Sequence, residues 1–325
     1  MARVFSGVQP SGSPHIGNYF GAWTRWATEQ EAGHFYCIVD LHAITAPHDP
    51  AELRERTIDL ACWLLAVGLD PERCTLFVQS HVREHTECAW VLDCVATMGE
   101  LKRMTQFKEK SQGRDSVSVG MFNYPVLQAA DILLYHAEEV PVGADQRQHI
   151  ELSRDIAGRF NQRFGQTFTL PKATFPTSGA RIMDLQHVEN KMSKSAQSPQ
   201  GTIDLADTEA ATRKKIMRAV TDSGTEIRAA PDKQGVTNLL DLLSAATGSG
   251  VPALEAELEG QRYGDFKKTV ADAVNERLRP VRERHAELRE DPAAVQAMLA
   301  RGAERARETA SATMVDVRAK VGLTG

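Results

Sequence analysis

The chain has 325 residues, enough for about two domains that each bury a core. Its hydrophobic content of 42% and charged content of 25% are those of a globular protein, and no apolar run approaches the ~20 residues needed to cross a bilayer. A net charge of −5 excludes a surface coated in basic residues, so any nucleic-acid contact is local; with no charged and apolar leader, a cytoplasmic protein is expected.

The first strand candidate is the β-branched and aromatic run Val4 to Val8. It leads through Gln9-Pro10-Ser11-Gly12-Ser13-Pro14-His15-Ile16-Gly17-Asn18 into the helical spacing of Ile16, Phe20, Trp23 and Ala27. A strand turning through such a loop into a helix offers unpartnered N–H groups and the positive end of the helix dipole, which suits a nucleotide phosphate. An ordinary glycine-rich connection has the same pattern. His34 to Asp40 is a second strand run, ending at a loop with His42. Asp49-Pro50 supplies a cap and first-turn proline for a helix striped by Leu53, Leu60, Leu64 and Val67 and closed by Gly68. Cys74 to Gln79 is a third strand. This alternation predicts βαβ units and a mainly parallel sheet, with ligands beyond the carboxyl ends of its strands.

From about Glu84 to Glu139 the pattern turns helical and reads as an insertion. His81, His85 and Cys88 stand at i, i+4 and i+7, a candidate metal face without a fourth ligand, or an interface stripe. The polar stretch Gln106 to Arg114 reads as a loop from which Lys110 reaches a phosphate or is simply solvated. Between Tyr124 and Tyr135 one carboxylate, Asp131, stands among apolar residues; a helix cap, an ion pair or a ligand must account for it, because an unpaired buried charge is expensive. Val140 to Gln146 reads as a strand turning through Gly143 into a helix of Ile150, Ile156, Ala157 and Phe160, with Asp145 and Gln146 at its cap.

Ala180-Arg181-Ile182-Met183 is the last strand candidate. It precedes Lys191-Met192-Ser193-Lys194-Ser195, whose cations and hydroxyls suit a polyphosphate or a solvated turn. Beyond residue 200 strand signals vanish, and Asp207 to Val220, Thr237 to Ala246, Ala253 to Glu259 and Phe266 to Arg279 are helical in spacing or propensity. Asp291-Pro292 starts a long helix whose small apolar stripe, from Leu299 through Ala303, Ala306 and Ala310 to Val321, suits packing on another helix; Gly322 stops it. The five cysteines, odd in number and without Cys-x-x-Cys spacing, read as small core hydrophobes.

The loop ending His15-Ile16-Gly17-Asn18 and the downstream Lys191-Met192-Ser193-Lys194-Ser195 closely resemble the paired ATP-binding elements of class I aminoacyl-tRNA synthetases. Further strings narrow the likeness: Phe5-Ser6-Gly7-Val8-Gln9-Pro10-Ser11-Gly12, Arg103-Met104-Thr105-Gln106-Phe107-Lys108, Ala129-Ala130-Asp131-Ile132-Leu133, Val142-Gly143-Ala144-Asp145-Gln146 and Thr221-Asp222-Ser223. In order and over essentially the whole chain, they resemble the bacterial tryptophanyl-tRNA synthetases. The resemblance implies an α/β fold with a Rossmann-like parallel-sheet catalytic domain at 1–196 and a helical insertion and dimer interface at about 80–139. It implies an α-helical anticodon-binding domain at 197–290 and a C-terminal helix, 291–325, packing back on the body.

The implied activity is formation of tryptophanyl-adenylate from L-tryptophan and ATP, then transfer to tRNA(Trp) with release of AMP, by a cytoplasmic homodimer. Mg²⁺ would ride on the ATP phosphates, with no metal held by protein side chains. For ATP the family pattern carries over to Gln9, Pro10, Ser11, Gly17, Asn18, Gly143, Ala144, Asp145, Ile182 and residues 191–195, with Lys110 added from its loop. Catalytic stabilisation falls to His15, Asn18, Lys191, Ser193, Lys194 and Ser195. Indole N–H is a donor only, so its pocket wants one fixed acceptor among apolar walls. Asp131 fits the acceptor, with Phe5, His42, Ile132, Val140 and Val142 as walls and Tyr124 and Gln146 for the amino group. Gln128 stands where many relatives place Met; His15, Asn18 and Ala144 are milder departures. Arg213-Lys214-Lys215 with Arg218, and Arg277, Arg279, Arg282 and Arg284, are candidate tRNA contacts or solvated faces. A tyrosyl enzyme, a tryptophan-sensing binding protein and a small-molecule adenylyltransferase are the alternatives.

Overall fold

The computed structural model describes residues 2–112, 116–175, 182–192 and 199–324, apart from the side chains of Lys110, Ser111 and Ala144. Strand β1 (Val4–Val8) turns through the loop 9–15 into α1 (Ile16–Asn18), which continues through a wider π-helical turn, Tyr19–Trp23, into α2 (Thr24–Glu29). Then come β2 (His34–Ile38), α3 (Asp40–Ala43), α4 (Pro50–Val67) and β3 (Thr75–Val78), followed by α5 (Glu84–Asp93), α6 (Met98–Arg103), α7 (Thr105–Ser111) and α8 (Val119–Leu133). After β4 (Glu139–Pro141), α9 (Arg147–Phe164) and β5 (Lys172–Thr174), the rest is helical: α10 (Glu209–Met217), α11 (Gln234–Thr247), α12 (Val251–Glu257), α13 (Tyr263–Glu290) and α14 (Pro292–Val321).

Local chemistry sets the helix ends. Asp49 Oδ1 accepts the N–H groups of Ala51 and Glu52, both at 2.9 Å, so α4 starts where its aspartate and proline stand; Gly68 ends it in the left-handed region at φ 112°. Asp291 does the same for α14 by accepting from Ala294 N–H at 3.0 Å.

The strands form one parallel sheet in the order β3-β2-β1-β4-β5. Chain order reverses between β1 and β4, the place in such sheets where a crevice opens. The pairing shows how. β1 runs against β2 along its whole length, from Val4 opposite His34 to Val8 opposite Ile38, but meets β4 only at Val4 opposite Glu139. Beyond that pair β1 and β4 part, leaving room between their carboxyl ends. β5 was not legible beforehand, because three residues give no alternation to read. The strand expected at residues 180–183 falls partly outside the described residues; its last member, Met183, forms an antiparallel bridge with Lys191 instead of joining the sheet.

Side chains alternate across the sheet. Tyr36, Ile38, Leu76 and Val78 face Ile16, Trp23, Leu60 and Leu64, while Phe5, Phe35, Cys37 and Phe77 face Val126, Ile132 and Ile156. The first cluster runs on into Leu239, Leu243, Val270 and Leu278, so the segment expected as a separate helical domain shares its core with one face of the sheet. Along the edge strand β3 lies α14, with Val295 and Leu299 in the first cluster and Ala303, Ala306 and Ala310 in the second. Its small residues meet a strand, where a helix was expected: a methyl group on Gly302 would stand 1.8 Å from the Leu76 carbonyl oxygen of β3. Only a missing side chain permits that approach. Gly302→Ala should therefore lower the unfolding free energy by about 1–3 kcal/mol through overpacking, read from denaturant unfolding; wild-type stability would show that α14 does not press on β3.

Candidate active site

The parting of β1 and β4 opens a cavity of about 290 Å³, near the lower end of the range for small-molecule sites. Phe5 and Gly7 of β1, His42 of α3, Tyr124, Gln128, Asp131 and Ile132 of α8, and Val140, Val142 and Gln146 around β4 all line it. All nine residues expected around an indole thus share one cavity, and Gln9 of the first loop reaches its rim.

Asp131 is 1% exposed and its carboxylate is surrounded by donors. Gln79 Nε2 donates to Oδ1 at 2.7 Å, and His85 Nδ1 lies 2.6 Å from the same oxygen. His42 Nε2 lies 2.8 Å from Oδ2. Burial on its own would raise the carboxyl, but hydrogen bonds and charge from His42 and His85 overcome it and hold the group well below the usual carboxylate range. It is an anion. His85 Nε2 lies 2.8 Å from the Tyr135 hydroxyl, and Gln79 Oε1 in turn accepts Leu41 N–H at 3.1 Å. Three of the four lone-pair positions of the carboxylate are taken, so one acceptor position remains at Oδ2, in a cavity with an apolar side of Phe5, Val39, Ile132, Val140 and Val142 and a polar side that includes Gln9, Thr45, Gln106, Gln128 and Gln146.

The same contacts dispose of the metal face. His81 lies in a 3-10 turn before α5 and is exposed, while His85 spends both ring nitrogens on Asp131 and Tyr135. Among the described residues no three His, Cys, Asp or Glu side chains converge as metal ligands would. At the polar end of the cavity the Tyr124 hydroxyl donates to Gln106 Oε1 at 3.1 Å and lies 3.0 Å from His149 Nε2; burial, with Glu109 adding, pushes that phenol up to about 12. Gln128 Nε2 faces Gln146 Oε1 at 3.4 Å, and Gln146 Nε2 donates to Asp145 Oδ2 at 2.8 Å.

The two distant loops meet beside this cavity. Asn18 Oδ1 accepts the His15 N–H at 3.1 Å, which closes the first turn of α1. A methyl on Gly17 would stand 2.9 Å from His15 Nδ1 and 3.7 Å from Met192 Cβ, so the lysine stretch lies against the helix start. Residues just past that stretch pair with the loop: Ile16 N–H donates to Ile203 O at 3.0 Å and Leu205 N–H to Pro14 O at 2.9 Å. Lys191 is exposed. Met192 and Ile182, expected at ATP, bury their side chains in the core and leave only backbone for a ligand. Gly143 and Asp145 sit at the turn into α9, close enough that a methyl on Gly143 would meet Asp145 Oδ1 at 2.6 Å. Ser193, Lys194, Ser195 and the side chains of Lys110 and Ala144 lie outside the described residues.

The basic groups are more occupied than their spacing suggested. Lys215 Nζ donates to Thr202 O and Asp207, and Arg213, Arg279 and Arg284 pair with Asp272, Glu209 and Glu287. Arg282 is half-buried and bonds Leu205 O, Asn275 and Thr212, an internal brace. Gln79, His85, Gln106 and Thr45 were missed as residues of this pocket; Gln106 stands in one of the family strings and His85 in the candidate metal face, while Gln79 and His85 reach Asp131 only through the fold.

The sequence matches the family model of tRNA synthetases class I (W and Y) over residues 1–279. It is similar to tryptophan–tRNA ligase 2 of Streptomyces avermitilis, 54% identical over 98% of this chain and 96% of that one. In structure it is similar to the tryptophanyl-tRNA synthetase of Mycoplasma pneumoniae, with a TM-score of 0.90 and 37% identity over 100% of this chain and 98% of the other. The Campylobacter jejuni tryptophanyl-tRNA synthetase solved with ADP and tryptophan superposes with a TM-score of 0.85 and 36% identity, covering 99% and 100% of the two chains.

A carboxyl held low in the folded state stabilises the fold above the unfolded value, near pH 4, and loses that contribution as pH falls through the folded one. The stability gap between wild type and Asp131→Asn should therefore be widest at neutral pH and narrow below about pH 4. Denaturant unfolding at several pH values measures it, and a gap independent of pH would mean an ordinary carboxyl.

Proposed function

The chain belongs to the class I tRNA synthetases of the tryptophan and tyrosine group, and from that premise we propose that it joins L-tryptophan to tRNA(Trp) at the expense of ATP. The observation that carries the choice of amino acid is Asp131: one ionised acceptor with a single position left, beside the apolar side of the cavity formed by Phe5, Ile132, Val140 and Val142. Indole N–H offers one donor and nothing else, which matches one acceptor. The tryptophan ring lies between Phe5, Ile132, Val140 and Val142, while Tyr124 and Gln146 take the amino group and Gln128 lies beside them.

The α-carboxylate of the amino acid, ionised at neutral pH with a reference pKa of about 3.5, attacks the α-phosphorus of ATP in line and pyrophosphate leaves. No general base is required. The chain has to position the reactants and neutralise charge as it develops. Gln9, Pro10, Ser11, Gly17 and Asn18 hold the nucleotide with Gly143, Ala144 and Asp145; Asp145 accepts from ribose hydroxyls and Ile182 offers its backbone to adenine. His15, Asn18, Lys191, Ser193, Lys194 and Ser195 stabilise the phosphates, joined by Lys110 near the end of α7, a helix where a loop was expected. Mg²⁺ enters bound to the nucleotide as a counter-ion to those phosphates, and no protein ligand is assigned to it. The terminal hydroxyl of the tRNA then takes the aminoacyl group.

We assign residues 1–196 to catalysis and 197–290 to the anticodon, with 291–325 returning to the body, in a cytoplasmic enzyme. The insertion at about 80–139 carries exposed Trp90, Met98 and Val119, apolar surface suited to a second copy in a homodimer. With Lys215 and Arg282 turned inward, Lys214 and Arg218 are the better candidates for tRNA phosphate.

Tryptophan-dependent exchange of pyrophosphate into ATP tests this reading, and exchange with tyrosine in its place would overturn it. Lys191→Ala and Lys194→Ala should each depress exchange by roughly two to four orders of magnitude. Asp131→Asn should weaken tryptophan by about tenfold or more, as loss of a charge-assisted bond does, measured as KM in the same assay; a wild-type KM would remove Asp131 from recognition.

A further inference from the structure

The hairpin that carries Lys191 is held by few hydrogen bonds, and one of its edges is closed by a side chain from a helix. Met192 N–H donates to Ile182 O at 3.1 Å and Asp184 N–H to Asn190 O at 2.9 Å. Those bonds leave Met183, opposite Lys191, with its own N–H and C=O turned to the outer edge. Asn238 of α11 meets both: its Oδ1 accepts Met183 N–H at 2.8 Å and its Nδ2 donates to Met183 O at 3.0 Å. One amide does the work of a neighbouring strand.

Asn238 is a costly residue for that place. It is 3% exposed, in a helix whose buried face is otherwise Val236, Leu239, Leu240, Leu242 and Leu243. Asparagine is a weak helix former, and a buried amide is tolerated only when its donor and acceptor are both satisfied. The hairpin base satisfies it. The next residues tie into the same region: Leu185 N–H donates to Gly201 O at 2.9 Å, Val220 N–H to Leu185 O at 2.8 Å, and Gln186 Nε2 to Arg218 O at 3.0 Å. Gly201 is pressed so close that a methyl there would fall 2.0 Å from Asp184 Oδ1. Met192, within the lysine stretch, and Gly201, which follows it, are thus both fastened to residues 182–185, and those residues are fastened to the helical segment.

We propose that Asn238 is a positioning residue for adenylate formation: by fixing the Met183 peptide it sets where Lys191 meets the phosphates, and it links the placement of the helical segment to the ATP site. This rests on the reading of Lys191 given above. Asn238→Ala should lower pyrophosphate exchange per active site, with sites counted by the adenylate burst, by roughly ten- to hundredfold and raise KM for ATP. Tryptophan affinity, measured by equilibrium dialysis, should not change. Asn238→Asp keeps the acceptor for Met183 N–H but sets an oxygen against Met183 O, so it should not rescue the rate; it also supplies the measurement if the alanine variant does not fold. Leu242→Ala, equally buried one turn along the same face of α11 but with no polar group to give the Met183 peptide, should lose thermal stability yet keep wild-type exchange per active site. Wild-type exchange and KM for ATP in the Asn238 variant that folds, or an equal loss in Leu242→Ala, would overturn the assignment. A wild-type protein that exchanges no pyrophosphate would remove the reading beneath it.

Discussion

An ionised carboxylate can stay inside a protein only if donors replace the water it has lost, and Asp131 meets that demand from three separate elements. Gln79 comes from the end of β3, His85 from α5 and His42 from α3. Each is oriented in turn: Gln79 by Leu41 N–H, and His85 by the Tyr135 hydroxyl. The pocket is therefore a fixed constellation. Moving α8 against the sheet would strand a buried charge, a penalty larger than most packing terms in the core, so the carboxylate sets the distance between helix and sheet and with it the width of the cavity.

That constraint explains features that fold class alone does not. β1 and β4 need to separate after a single pair to admit α8 residues between their carboxyl ends, and they do. The thiols of Cys37 and Cys88 lie near the same charge; burial raises both well above the ordinary thiol range and Asp131 adds to the effect, so these cysteines are inert filling, as expected. Tyr135, stacked on Phe5 and Phe35, brings one hydroxyl into an apolar cluster because His85 Nε2 is there as its hydrogen-bond partner.

What could be read from the sequence was whatever is written locally. The caps at Asp49 and Asp291, the glycine stops at Gly68 and Gly322 and the strand-loop-helix order around residues 4–29 depend on residues within a few positions of one another. Phe5, Asp131, Ile132, Val142 and Gln146 were legible for another reason, since they stand in strings shared with a family, and the structure gathers them in one cavity with His42, Tyr124, Gln128 and Val140. What could not be read were pairings made across the fold. Gln79 and His85 donate to Asp131 over sequence separations of 52 and 46 residues, and no local pattern marks them. The basic side chains around residues 213–218 and 277–284 looked free because their acids stand elsewhere in the sequence. The small stripe of α14 predicted close packing correctly in kind, but only the fold reveals that the surface it meets is β3.

The proposed phosphate site lies where the sheet meets the helical segment. A parallel sheet supplies backbone donors at the start of α1, and Lys191 arrives on a hairpin outside the sheet. The segment after that hairpin returns to pair with residues 14–16, and the hairpin base is stitched to α11 and to residues 218–220. Each such hydrogen bond is worth only about 1 kcal/mol net, but Ile182, Leu185, Met192, Ile203 and Leu205 are buried in the same apolar cluster as Ile16 and Leu60 on one side and Leu239 and Leu243 on the other. The hairpin base is therefore held by a core continuous from the sheet to α11, so that on the proposed reading a shift of the helical segment reaches Lys191 through packing as well as through Asn238.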